Sequence, residues 1–417
     1  MKHNLKSLFA ALIFLLVLAP YSFADDGSTL ITINSGRMEQ LEREVRELRG
    51  IVNQLVSENK SLKSSLTDVQ QAGVSAFPSG LPEEAAAPKL ELHGFGHVQY
   101  DYSQSDYSND TQSDTNHFTN GGVDLFLTSQ ISDKLSFFNE TLFEFRSNGS
   151  NVLDVERVLL KYDMQDWLKI AVGRGHTALG YWNQQFHHGT WMQTTTSRPI
   201  MYRVEDDGGI LPVHYVGLEF SGILEAPGGS LSYASNVANG RGTIADEVQL
   251  IEDDNDSKMA GIRGTYKPEA IEGLGIGANY LHDTIPEKAD TTDRGAEIDE
   301  DIYGMHILYL LDPYELIMEG MVTDHDNHDT TLGDTTVAAY GQVAYKIGKY
   351  KPYFRYDWLR IADRDPFFQG LVEDETSYTM GLRYELTSYN ALKLEYRRVD
   401  KDGSVSNEAT LQSSFVF

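Results

Sequence analysis

From Leu90 onward, apolar and polar side chains alternate with a period of two, the pattern of strands that bury one face. Sixteen segments of about 9 to 15 residues carry it: 90–103, 117–131, 134–147, 151–163, 166–174, 213–223, 229–238, 258–267, 273–282, 299–311, 313–323, 335–347, 350–361, 375–387, 390–399 and 408–417. In the fourteenth, Tyr378, Met380, Leu382 and Tyr384 share one face, with Thr379, Gly381, Arg383 and Glu385 on the other. In the fifteenth, Leu392, Leu394 and Tyr396 oppose Lys393, Glu395 and Arg397. A face this charged does not suit the core of a soluble sandwich. It suits a closed sheet with lipid outside and water inside.

The connections alternate as well. Ser132-Asp133, Asp163 to Gln165, Asp312, Gly348-Lys349 and Ser388-Tyr389 are short, whereas 104–116, 175–212, 239–257, 283–298, 324–334 and 362–374 are long. An even strand number, short turns at one end and long loops at the other describe an outer-membrane barrel. The expected fold is therefore all-β: a 16-stranded antiparallel transmembrane β-barrel over 90–417, preceded by a signal peptide and an α-helical coiled coil.

Upstream of the strands the period changes. Residues 38–71 repeat in heptads, with Met38, Val45, Val52, Asn59 and Leu66 at one seam position and Leu41, Leu48, Leu55, Leu62 and Val69 at the other. That pattern predicts a coiled coil, placed in the periplasm by the topology, in which buried Asn59 sets register. Residues 72–89, with Pro78, Pro82 and Pro88, form a linker, and 25–37 an N-terminal segment. Lys2, Lys6, the apolar run Leu8–Ala19 and the small residues around Ala24 make 1–24 an export signal.

Composition narrows the possibilities further. The chain has 417 residues, formal net charge −28 and no cysteine. Thiolate metal sites and cysteine nucleophiles are excluded, and nucleic acid is not expected as a partner of so acidic a chain. A mean hydropathy of −0.37 excludes a polytopic helical membrane protein. The acidity is local: spans 239–257, 283–301, 324–334 and 362–375 hold 23 acidic and four basic residues, so external loops carry most of it. Tyrosines at 162, 266, 309, 314, 345 and 384 fall near the periplasmic ends of the lipid face, and Tyr356, Trp358, Tyr378 and Tyr396 near the outer ends, as two interfacial girdles.

The last strand ends on Phe417, similar to an outer-membrane assembly signal. With the strand parity and loop alternation, residues 90–417 resemble a Gram-negative sixteen-stranded porin. The coiled coil, linker and barrel together resemble the sucrose-porin and DcaP-like subgroup, with the phosphate-selective porins as a near neighbour. The resemblance implies a homotrimer in the cell outer membrane, in contact with lipid and lipopolysaccharide, that passes small hydrophilic solutes or ions by passive diffusion. It implies no catalytic step, cofactor or metal. A barrel enzyme or an adhesin-like surface protein is the alternative, although no G-x-S-x-G, H-E-x-x-H or P-loop motif occurs.

Two sets of residues are candidates for the channel. The span 175–212 is the longest connection and contains Trp182, His187, His188, Trp191, Glu205, Asp206 and Asp207. So aromatic a loop belongs inside the barrel, where it narrows the pore. Strand parity places Arg146, Arg157, Lys161, Lys169, Arg263, Arg355, Arg383, Lys393 and Arg397 on the water face, together with Glu140, Glu144 and Asp357. Arg355, Arg383 and Arg397 are expected to form a basic ladder facing Glu205–Asp207, giving a mild anion preference. The alternative is pairing of these arginines with Asp357, Glu385 and Glu395 along the wall.

Overall fold

The computed structural model describes residues 89–417 apart from 108–111, 146–150, 187–188, 205–207, 246–254, 288–295, 329–332 and 369. The expected signal peptide, coiled coil and linker lie outside the described residues, save Lys89, which already pairs in the first strand. The strands are β1 (Lys89–Tyr107), β2 (Gln112–Gln130), β3 (Leu135–Phe145), β4 (Asn151–Gln165), β5 (Leu168–His176), β6 (His214–Ala226), β7 (Gly229–Ala238) and β8 (Met259–Pro268). Then follow β9 (Leu274–Ile285), β10 (Ile298–Leu311), β11 (Tyr314–Asn327), β12 (Gly333–Tyr345), β13 (Tyr350–Arg360), β14 (Glu375–Thr387), β15 (Asn390–Lys401) and β16 (Ser404–Val416). Each pairs antiparallel with its sequence neighbours, and β1 pairs with β16, closing the barrel.

Closure brings the chain's last residue onto the first strand. Gly94 and Phe417 exchange both backbone hydrogen bonds, at 3.0 and 2.8 Å. The Phe417 ring lies where a side chain at position 94 would stand: a Cβ there would sit 2.6 Å from the ring. Only glycine leaves room for this seam.

Alternation gives the outer face its lipid-compatible surface. Ile262, Ile276, Met305, Met318, Val343, Phe354 and Met380 are exposed there. Rings cluster towards both ends of the wall, with centroids 5.2 Å apart for Tyr314–Tyr345, 4.9 Å for Tyr350–Tyr384, 5.1 Å for Tyr280–Tyr303 and 5.1 Å for Tyr356–Tyr378.

The structure departs from the sequence reading at two external connections. Both strands flanking 104–116 continue well into it, and β15 joins β16 through Asp402-Gly403 alone. In these stretches polar residues occupy both faces, so alternation vanishes. Pairing persists because the backbone groups of β1 still find partners on β16, from Tyr102↔Ala409 to Tyr107↔Ser404.

A larger difference lies inside. The inner face at the external half of β9–β11 carries a set of apolar side chains, with Leu281, Ile285, Ile298, Ile302 and Met321 fully buried. They join Ile210 and Leu211 from the β5–β6 loop and Phe367 and Phe368 from the β13–β14 loop in one cluster. That part of the lumen is filled by side chains. Buried charges stitch the cluster: Arg241 pairs with Glu300 at 3.0 Å, and His325 lies between Glu300 (3.1 Å) and Asp365 (3.0 Å). Burial works to raise the Asp365 carboxyl, but hydrogen bonds from His325 and from the Phe367 and Phe368 amides leave it below its ordinary value.

Candidate functional site

The β5–β6 loop, 177–213, folds into the barrel and binds the far wall. Its start is a tight turn at Gly180 (φ +57°), where a Cβ would overlap the Tyr202 hydroxyl. A one-turn helix, α1 (Trp182–Gln185), follows, and Trp182 stacks on Tyr202 at 5.5 Å. Wall acceptors take the loop's amides. Asn236 accepts from Ala178 N (2.5 Å), Asn279 from Gly180 N (3.2 Å), and Glu319 from Tyr181 N (2.5 Å) and Trp182 N (2.9 Å). Glu319 also accepts from the Tyr202 and Tyr340 hydroxyls, at 2.8 and 2.6 Å. Burial, then the Glu319 charge, holds the Tyr202 hydroxyl well above its ordinary pKa, so it remains a donor.

Further along, the wall supplies both signs of charge to the same backbone. Lys393 donates to the carbonyls of Thr190 and, at 2.8 Å, Thr195. Arg383 donates to those of Trp191 (2.6 Å) and Gln193 (2.8 Å). Arg355 reaches Ser197 O (2.8 Å), Arg198 O (3.0 Å) and two hydroxyls, and pairs with Asp357 at 2.8 Å. Glu395 accepts from Thr196 N (2.8 Å) and Ser197 N (3.3 Å), and Asp357 from Ile200 N (3.1 Å). Arg203 of the loop pairs with Glu375. The loop crosses the lumen and is held there through its main chain.

These contacts alter the expected roles of several residues. Arg355 and Lys393 are fully buried, and Arg383 is nearly so. They lie on the inner face, but beneath the loop and not against open water. No exposed basic ladder forms: Arg355 pairs with Asp357 and Arg383 with Glu385 at 2.7 Å, which is the wall pairing weighed as the alternative. Only Arg397 of the three keeps partial exposure, pairing with Glu375 at 3.1 Å. Removing the ladder removes the ground for an anion preference.

The other candidates are distributed around the barrel. Arg157 pairs with Glu140, and Arg157 and Lys161 both stand over the Phe138 ring at 4.6 Å. Lys169 is exposed at the periplasmic rim beside Asp163 (3.4 Å). Arg263 lies under the loop start, and Trp182 and Trp191 lie in the loop, Trp182 buried and Trp191 beneath the Arg383 guanidinium at 5.9 Å. Arg146, His187, His188, Glu205, Asp206 and Asp207 lie outside the described residues.

Open space remains on one side of the loop. A cavity of about 440 Å³ separates Thr190, Gln193, Thr196 and Arg198 of the loop from His97, Gln99, Asp124 and Glu144 of β1–β3. An adjoining space of about 210 Å³ is bounded by Asp101, Thr196, Arg397 and Glu408. Here the wall carries Asp101, Asp124, Glu144 and Glu408 against the single Arg397, and the loop carries Arg198, so the balance of charge is the reverse of the expected polarity. Asp101, Asp124 and Glu408 escaped the sequence reading.

The chain matches the family described as Gram-negative porin over residues 74–412. No curated protein matches it. Solved structures similar in fold include an anion-selective porin from Comamonas acidovorans, at 10% identity and TM-score 0.56, covering 79% of this chain and 100% of that one. In-vitro folded OmpT, an outer membrane protein of Vibrio cholerae, gives 13%, 0.52, 82% and 100% for the same measures. Salmonella typhi OmpF in complex with daunomycin gives 13%, 0.52, 79% and 98%.

Proposed function

From the premise that this chain belongs to the Gram-negative porin family, and so forms an outer-membrane channel for passive diffusion, we propose a route for its solutes. They pass between the folded-in loop and the wall made by β1–β3, β15 and β16. One observation carries the proposal: open space lies there, whereas the external half at β9–β11 is filled by packed apolar and paired charged side chains. The loop is the constriction, with Trp182 and Trp191 inside it as packing and not as lining. Arg355, Arg383, Lys393, Glu319 and Glu395 are its positioning residues. Asp101, Glu144 and Glu408 set the field on the wall side, where Arg397 lies 3.8 Å from Glu408, with Arg198 of the loop opposing them.

The proposal includes no catalytic step. It extends to a homotrimer bedded in lipid and lipopolysaccharide, with residues 38–71 as a periplasmic coiled coil. The field is tested by single-channel recording in a salt gradient. Changing Asp101→Asn, Glu144→Gln and Glu408→Gln together moves the reversal potential towards anions by more than Arg383→Gln moves it towards cations. An unchanged reversal potential in the triple variant refutes the assigned route.

A further inference from the structure

Beneath the loop, on the side away from the solute route, is a second cavity of about 350 Å³. Tyr181 and Gln185 of the loop roof it, and Ser232, Arg263, Thr265 and Lys267 of β7 and β8 form its polar wall. Pro268, Ile271 and Gly273, in and beside the β8–β9 turn, edge it, so it opens at the periplasmic end. Above the roof, Leu179, Leu281 and Ile302 are fully buried. The cavity is a pocket closed at its external end.

Arg263 is the anomaly in it. Among the described residues its guanidinium makes no hydrogen bond and no ion pair, and its Nε is buried without a partner. A guanidinium nitrogen removed from water without an acceptor, as Nε is here, is costly and rare in native structures, and the side chain that carries it lines the pocket. The nearby carboxylates do not serve. Glu319 already accepts from Tyr181 N, Trp182 N and the Tyr202 and Tyr340 hydroxyls, and Glu219 accepts from Tyr215 OH at 3.4 Å. A second buried nitrogen is also unused: His306 bonds Thr265 Oγ1 through Nε2 at 2.8 Å, and its Nδ1 has no partner. Lys267 adds a cation at the exposed edge, and the Gln185 amide adds neutral donors.

We infer that this pocket binds a small oxyanion, a phosphate or carboxylate group, through Arg263 and Lys267. A guanidinium fork matches two oxygens of either group, and a low-dielectric wall strengthens the pair. The volume exceeds that of a single water several-fold, leaving room for the body of a small solute. The periplasmic sidedness rests on the porin reading, whereas binding itself does not.

The test uses the full chain in detergent, titrated calorimetrically at low salt with inorganic phosphate and, separately, with acetate. One site per chain is expected for at least one of the two, and the arms tell which group fits better. Arg263→Gln weakens binding at least tenfold, Lys267→Gln several-fold, and Arg360→Gln, in an exposed external pair, not at all. If Arg263→Gln gives no heat-modifiable barrel, Arg263→Lys and Lys267→Gln carry the comparison. Absence of phosphate and acetate binding at millimolar concentration, or equal affinity in the Arg263 and Lys267 variants, overturns the inference. Planar-bilayer conductance is read independently, so a barrel that binds but does not conduct refutes the channel route and leaves the pocket standing.

Discussion

Replacing Arg355 by methionine should release the middle of the loop while leaving the barrel closed. The side chain is completely buried, bonds the Ser197 and Arg198 carbonyls at 2.8 and 3.0 Å and pairs with Asp357 at 2.8 Å. Methionine has a similar length but no donor, so two carbonyls lose this partner and Asp357 loses its counter-ion, keeping only the Ile200 amide and the Ser377 hydroxyl. Breaking one side of a buried ion pair costs about 3–5 kcal/mol. Water in the adjacent cavity can solvate the orphaned groups, which argues for the lower end, about 3 kcal/mol. At about 1.4 kcal/mol per factor of ten, the docked loop loses ground to undocked states by about a hundredfold. The strands are untouched, because β13 is held by its ladders to β12 and β14. Single-channel recording should show larger mean conductance and more open-channel noise, with heat-modifiable gel mobility retained. Arg355→Lys should recover only part of the effect, since one ammonium cannot span the points a fork reaches. Native conductance and noise in Arg355→Met would refute the claim that wall cations hold the loop.

Three further outcomes are expected. Gly94→Val should sharply lower the yield of heat-modifiable barrel, because its Cβ meets the Phe417 ring at 2.6 Å; a native yield would remove the seam argument. Asp365 has a folded pKa below its unfolded one, so its contribution is present above about pH 4 and is lost as pH falls through the lower folded value. Pepsin cleavage at Phe367-Phe368 should therefore be slower than in Asp365→Asn above about pH 4, the ordinary carboxylate value, and the two proteins should converge as pH falls below it; equal protection in both proteins at the higher pH would count against it. Deleting residues 38–71 should leave a barrel that inserts and conducts, and loss of insertion would show that the two parts do not fold separately.

The strands could be read from the chain because lipid on one side and water on the other impose alternation residue by residue. That reasoning fails where the inner face does not meet water. Ile302 and Leu308 point inward beside the outward Tyr303, Met305 and Ile307, so β10 from Ile302 to Leu311 is apolar on both faces but for His306 and Gly304. Such two-sided apolar stretches mark wall whose inner face is covered by other side chains, as at Ile302 and Leu308. The inward direction of Arg355, Arg383 and Lys393 was equally legible, but what they bind was not. Their partners are backbone carbonyls, which every residue carries and no sequence pattern marks. The acids of the open route were missed for a related reason: Asp101 and Glu408 lie in strands polar on both faces, where parity gives no contrast.

Because the wall grips the loop by its main chain, heredity can rewrite the loop without letting it go. The amides of Ala178, Tyr181, Trp182, Thr196, Ser197 and Ile200 exist whatever side chain is attached, proline apart, and only the turn at Gly180 demands one residue type. Pro199 sits between two of these donors, at a position from which the wall takes no amide. Thr190, Gln193, Thr196 and Arg198, which border the open space, are thereby free to drift under selection for a new diet while the anchorage is inherited intact. Related chains that share Glu319, Arg355, Arg383, Lys393 and Glu395 but differ across 190–198 would then be one scaffold carrying exchangeable filters.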